Sequence, residues 1–146
     1  MNFIIILLRQ LIFIGPILWL LELFQNRLYF MATGKWGWVY PDSPWHWFSF
    51  QTLPNWTASV AVMFLLYRFW LIPKKINVVL RITITGVAGF LLEYLNGFAF
   101  FSLTGKYLFV WEQSSLVFID WIALPMWFFN AAVYHFLSCT LINMQE

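Results

Sequence analysis

The chain has 146 residues, 62% of them hydrophobic and 10% charged, with a net charge of +2 and a mean hydropathy of +0.76. A soluble domain carries about 25% charged residues, so the composition excludes an ordinary water-facing surface and predicts an integral membrane protein. No basic patch is interleaved with polar binding residues, so nucleic acid is not an expected partner.

Met1-Asn2 carries no basic side chain, and no small-residue cleavage site lies near Glu22. The first apolar segment is therefore read as retained rather than as a signal peptide. Spanning about 30 Å of hydrocarbon takes about 20 helical residues. Four runs meet that length. The first lies near Leu11–Ala32, interrupted by Gln25-Asn26-Arg27. An aromatic loop follows, with Trp36, Trp38, Tyr40, Trp45, His46 and Trp47. Its rings suit the headgroup zone, as a belt or as the lid of a lipid-like ligand. The second run lies near Gln51–Ile72, with Pro54 early in it, and Ile72-Pro73-Lys74-Lys75 reads as a hinge. The third lies near Ile82–Leu103. A second outer loop holds Tyr107, Trp111 and Phe118, and the fourth run lies near Trp121–Asn143 with Pro125 at its start. The single cysteine, Cys139, excludes an intramolecular disulfide and reads as a packing residue.

The chain also matches itself. Moved by 71 positions, Leu21-Glu22 falls on Leu92-Glu93, and Thr33-Gly34-Lys35 on Thr104-Gly105-Lys106. Leu53-Pro54 falls on Leu124-Pro125, Trp56 on Trp127, and Ala61-Val62 on Ala132-Val133. About 16 residues between Leu11 and Arg68 are identical without a gap, as a diverged duplication leaves. One membrane domain, 1–146, is expected, with repeats over about 11–72 and 82–143. Each repeat holds two helices, so the halves should be parallel, related by an axis along the membrane normal. The fold expectation is thus an all-α membrane protein of four transmembrane helices in two parallel repeats. Arg9, Arg68, Lys74, Lys75 and Arg81 share one side, against Lys35 and Lys106 on the other. This excess predicts both termini in the cytoplasm. The Thr-Gly-Lys triplets lack the spacing of a phosphate loop. They read as helix stops, with glycine in the left-handed cap and lysine at the negative end of the dipole.

Each repeat places one glutamate in an apolar run. Glu93 lies about 11 residues, or roughly 16 Å, into its helix, and symmetry puts Glu22 at similar depth. An acid there costs about 3 kcal/mol and is a functional candidate by default. Asn26 follows Glu22 at i+4 and Asn96 follows Glu93 at i+3, on the same helical faces. Asn130 lies at comparable depth in the fourth run. His135 lies about one turn nearer the cytoplasm, and its counterpart is Phe64. These six residues are the candidate ligand-binding set. A competing reading makes each glutamate a hydrogen-bonded lock between helices. No triad, metal-ligand spacing or cofactor motif is present, so no catalytic residue, metal or cofactor is expected.

Glu93-Tyr94-Leu95-Asn96-Gly97, Trp111-Glu112-Gln113-Ser114 and Leu124-Pro125-Met126-Trp127 together resemble the small four-helix membrane proteins of the type IV ABC-transporter permease family. The first half lacks that family's Arg-Gly-Phe and Gly-Pro-x-x-Pro-Ile-Tyr-Gly segments. The resemblance implies four membrane helices and, for activity, transport. Gly34-Lys35-Trp36-Gly37-Trp38-Val39-Tyr40 with Leu53-Pro54 is similar to membrane-bound lycopene cyclase domains. Their Pro-x-Glu-Glu carboxylates are replaced here by Pro54-Asn55-Trp56-Thr57, which removes the acid that chemistry needs.

The expected function is binding or passage of a small or lipid-like ligand at a polar intramembrane core. A second reading is a non-catalytic subunit of a larger membrane complex. A third is a membrane enzyme acting on an isoprenoid or lipid, ranked below binding. Expected partners are membrane lipids and a second copy or larger membrane assembly.

Overall fold

Long apolar runs with few breakers fold as helices, because a helix satisfies its own backbone N–H and C=O groups. In the computed structural model, which describes residues 3–112, 114 and 116–141, these runs become four helices. They are α1 (Phe3–Thr33), α2 (Leu53–Leu66), α3 (Val78–Thr104) and α4 (Ala123–Leu141). Helices α1 and α3 are each long and apolar enough to cross a membrane.

The boundaries depart from the sequence reading in informative ways. Helix α1 already runs from Phe3, because Phe3–Leu8 is unbroken apolar sequence and Gln10 does not interrupt it. Gln10 is fully buried and its Oε1 accepts the Tyr134 hydroxyl of α4 at 2.7 Å. Pro16 lies inside α1 without ending it. Helix α2 continues into a π turn over Tyr67–Leu71, with Ile72 N donating to Tyr67 O at 3.0 Å. The expected end of the fourth run at Asn143 lies outside the described residues, as does Met1-Asn2.

Helices α1 and α3 end in the same way. Gly34 (φ 73°) and Gly105 (φ 70°) take the left-handed conformation that glycine adopts without a Cβ penalty. Their N–H groups donate to Phe30 O and Phe101 O, each at 2.8 Å. Thr33 Oγ1 donates to Tyr29 O at 2.8 Å, and Thr104 Oγ1 to Phe100 O at 2.7 Å. The Lys106 ammonium, expected at the helix dipole, instead pairs with Asp42 at 3.3 Å. That pair is well exposed and contributes little.

The two outer loops meet in a ladder absent from the sequence reading. Strands β1 (Trp38–Val39) and β2 (Val110–Trp111) run antiparallel, with Trp38 opposite Trp111 and Val39 opposite Val110. Two residues are too few to show an alternation. Val39 thus faces the residue 71 positions on. A serine turn recurs at the same interval. Ser43 Oγ donates to Phe48 O at 2.5 Å, and Ser114 Oγ to Ile119 O at 2.7 Å. The loop aromatics divide between two environments. Trp38, Tyr40 and Trp111 are buried, whereas Trp45 is 51% exposed.

Helix α1 packs on α2, and α3 on α4. Leu18, Val60, Phe64, Tyr67, Ala131 and Tyr134 are fully buried between them, while large apolar side chains face outward on all four helices. Glycines set the closest approach. A Cβ on Gly86 would lie 2.2 Å from the Phe128 ring and 3.1 Å from its Cα. A Cβ on Gly15, 71 positions earlier, would meet nothing nearer than Thr57 Oγ1 at 3.4 Å. Gly86→Ala should therefore destabilise by about 1–3 kcal/mol through overpacking. Gly15→Ala should be neutral or slightly stabilising, since alanine is the better helix former. Unfolding of both variants in mixed micelles checks this, and equal effects would refute the packing argument.

Candidate functional site

The site forms where α1, the start of α2, α3 and the start of α4 converge beneath the loop ladder. Glu22 projects from α1 towards the loop and α2. Its Oε1 accepts the Tyr40 hydroxyl, and its Oε2 accepts the Trp56 indole N–H. Trp38 Nε1 donates in turn to the Tyr40 oxygen at 2.9 Å. The result is a relay of donors, Trp38 to Tyr40 to Glu22, whose members polarise one another. Burial, and then the adjacent Glu22 carboxylate, hold the Tyr40 phenol well above its ordinary range. Tyr40 therefore stays protonated and remains a donor.

Glu93 projects from α3 in the same manner, and its Oε2 accepts the Trp127 indole N–H. Trp56 and Trp127 stack on each other, with ring centroids 5.0 Å apart and planes at 26°. Each carboxylate is thus pinned by an indole, and the two indoles lean together between the halves. Among the described residues, neither acid forms an ion pair with lysine or arginine.

Around this pair lies a small recess of about 50 Å³, open on one side. Its polar lining includes Glu22, Glu93, Gln25, Asn96, Asn130 and Ser59. Its apolar lining includes Trp56, Trp127, Phe109 and Met126. Gln25 Nε2 donates to Asn130 Oδ1 at 2.8 Å and ties α1 to α4. Apolar walls with a few convergent polar groups are the usual make-up of a small-molecule site.

The chain matches no family model, no curated protein and no solved structure. The recess is therefore read from its own chemistry.

Of the six candidate residues, Glu22, Glu93, Asn96 and Asn130 line the recess together. Asn26 and His135 do not. Asn26 is buried and turned to the first loop. Its Nδ2 donates to Trp38 O at 2.8 Å and Trp47 O at 3.3 Å, and its Oδ1 accepts Gly37 N at 3.0 Å. It serves as a splint for the loop backbone. His135 sits lower in the bundle, with Nδ1 3.3 Å from the Tyr67 hydroxyl and 3.6 Å from Cys139 Sγ. No group of three His, Cys, Asp and Glu residues able to hold a metal occurs among the described residues.

The sequence reading missed the donors: Trp56, Trp127, Tyr40 and Trp38. One signal for two of them was available. Trp56 follows Glu22, and Trp127 follows Glu93, by the same 34 positions. Asn26→Ala should leave several buried backbone groups of the loop without partners. Each such group costs about 1–3 kcal/mol, so the loss should reach at least about 2 kcal/mol. Proteolysis should then cut first within 34–49. Unfolding midpoints and cleavage-site mapping check this, and a variant as stable and resistant as wild type would remove the splint role.

Proposed function

We propose that this protein spans the membrane four times as two parallel two-helix halves, and that it binds or passes a small or lipid-like ligand at the recess between Glu22 and Glu93. The single observation that carries this reading is the pair of carboxylates, each held by an indole, beside an open recess with apolar walls. Both acids line this recess together with Asn96 and Asn130, polar groups on α3 and α4.

The four-span arrangement draws on three further facts. Leu53–Leu71 and α4 each measure about 28 Å at 1.5 Å per residue, close to the hydrocarbon thickness. Large apolar residues such as Phe13, Val62, Leu103 and Phe129 face outward, one or more on each helix. The helix stops and serine turns recur at 71 positions, as a duplicated unit leaves them. Lys74 and Lys75 fall in the middle connection and Lys106 in an outer loop, so the lysine and arginine excess puts both termini in the cytoplasm. The transport sense of the reading rests on the resemblance to the permease family.

Two experiments test this. In a Cys139→Ser background, Lys106→Cys should react with a membrane-impermeant maleimide on intact cells. Lys75→Cys should react only after permeabilisation. Equal reactivity of both positions would rule out the arrangement. The double variant Glu22→Gln/Glu93→Gln should fold, since each amide oxygen still accepts the indole N–H. It should nonetheless lose binding of a photoreactive long-chain probe at the recess by about tenfold or more, the worth of a charge-assisted hydrogen bond or two. Full binding by the double variant would sink the role of the acids.

A further inference from the structure

Aromatic rings gather in the same way at the loop end of both halves. Phe30, near the end of α1, stacks on Trp36 with centroids 4.3 Å apart, and Trp36 stacks on Trp47 at 5.7 Å and 12°. Asn26 fixes the backbone that carries this slab, because its side chain accepts Gly37 N and donates to Trp47 O. At positions 71 further on, Phe101 packs on Tyr107 at 4.7 Å and on Phe118 at 5.8 Å.

The fourth member of the two slabs differs. In the second half it is Phe98, which closes edge-on against Phe118 at 5.8 Å and 81°. In the first half the same position is Arg27. Its guanidinium carbon lies 5.5 Å from the Phe30 centroid and 5.8 Å from that of Trp36. The ring quadrupoles attract the cation and hold it against the slab. Arg27 is exposed, and among the described residues it forms no ion pair and no side-chain hydrogen bond. Packing does not call for a charge at this position, since a phenyl ring serves in the other half. The fork of N–H donors is left for something outside the protein.

Depth identifies the partner. Helix α1 measures about 45 Å at 1.5 Å per residue, about 15 Å more than the hydrocarbon is thick. Its last turns therefore enter the headgroup zone, and Arg27 comes about 9 Å before Thr33, where hydrocarbon gives way to phosphate. Resting on the membrane arrangement above, we infer that Arg27, held against the slab of Phe30, Trp36 and Trp47, binds the phosphodiester of a phospholipid in the leaflet on the loop side. The planar guanidinium matches two phosphate oxygens at once. Its stacking on the rings orients it in advance, which lowers the ordering cost of binding. Phe24, Leu20, Ile17 and Phe13 continue down the same face of α1 at helical spacing, all exposed, and offer the acyl chain an apolar track.

The test is native mass spectrometry of the full chain in detergent micelles titrated with dioleoylphosphatidylglycerol. Arg27→Phe should fold, because Phe98 occupies the same place in the other half. It should weaken the tightest-bound lipid by about tenfold or more, the loss of a charge-assisted pair. If it does not fold, Arg27→Gln at this exposed position carries the same expectation. Lys106→Gln removes an equal exposed charge on the loop side and should change binding by less than about twofold, since Lys106 is engaged with Asp42. Dioleoylglycerol, which lacks the phosphate, should bind at least about tenfold more weakly. Glycerophosphoglycerol, which lacks the chains, should not displace the lipid. The inference is overturned if the Arg27 variant binds like wild type, if Lys106→Gln weakens binding as much, or if the diacylglycerol matches the phospholipid. Displacement by glycerophosphoglycerol overturns it too, by making the place a site for free phosphate esters. Labelling of Lys106→Cys and Lys75→Cys reads the membrane arrangement separately. With the expected labelling pattern, unchanged lipid binding in the Arg27 variant removes this site alone; equal labelling of both positions removes the arrangement and the site with it.

Discussion

Two unfavourable burials resolve each other in this protein, and the arrangement of the helices depends on it. An indole N–H packed among apolar side chains needs an acceptor. A glutamate in an apolar helix needs donors. Trp56 and Glu22 meet both needs in one bond, and Trp127 and Glu93 do so again. Removing either partner leaves the other uncompensated, which is worth more than the bond itself. Each bond fixes the rotation of one helix against the next, α1 against α2 and α3 against α4. The stacking of Trp56 on Trp127 then sets the two pairs against each other. Polar contacts, rather than apolar burial alone, are what can specify a single register among helices that are apolar on every face.

The loops complete the site by different means in the two halves. Asn26 splints the first loop through its side-chain amide. The residue 71 positions later is Gly97, which has no side chain to offer. There the second loop packs directly on the helix, and a Cβ on Gly97 would stand 3.2 Å from Phe118 Cβ. One loop is held by hydrogen bonds and the other by close contact. The ladder between β1 and β2 joins them, so the lid over the recess is a single body anchored on both sides. This difference in anchoring reaches the acids. The splinted loop delivers Tyr40 to Glu22, and the packed loop delivers Trp111 to the neighbourhood of Glu93 without closing the bond.

Much of this was legible in the sequence, and the residues show where legibility stopped. Hydropathy located all four helices, because apolar length is additive along the chain. The left-handed caps at Gly34 and Gly105 were legible because only glycine takes that conformation freely. Glu22, Glu93, Asn96 and Asn130, which line one recess, stand out in the sequence because polar residues are rare in such runs. Asn26 lies away from the recess for a physical reason. Helical spacing says which face a residue occupies, but a long amide can turn along that face to reach a loop backbone that the spacing does not reveal. The indole donors were hidden by their type. Tryptophan at a membrane boundary is expected for its ring, and the sequence does not mark which of ten also uses its N–H. The expected start near Leu11 falls eight residues inside α1, which runs from Phe3 with Gln10 buried against Tyr134.

Equivalent residues need not hold equivalent capacity. Residues 71 positions apart can match in identity, but the bonds each makes depend on neighbours that differ. Tyr40 against Trp111 is one such divergence, and Asn26 against Gly97 is another. Together they give the two acids different partners: Glu22 accepts a phenol and an indole, and Glu93 accepts the Trp127 indole. The first loop is thus tied to α1 through the acid itself as well as through Asn26, while the second loop is held by close packing at Gly97. Likeness of position between the two halves therefore does not carry over into likeness of bonding.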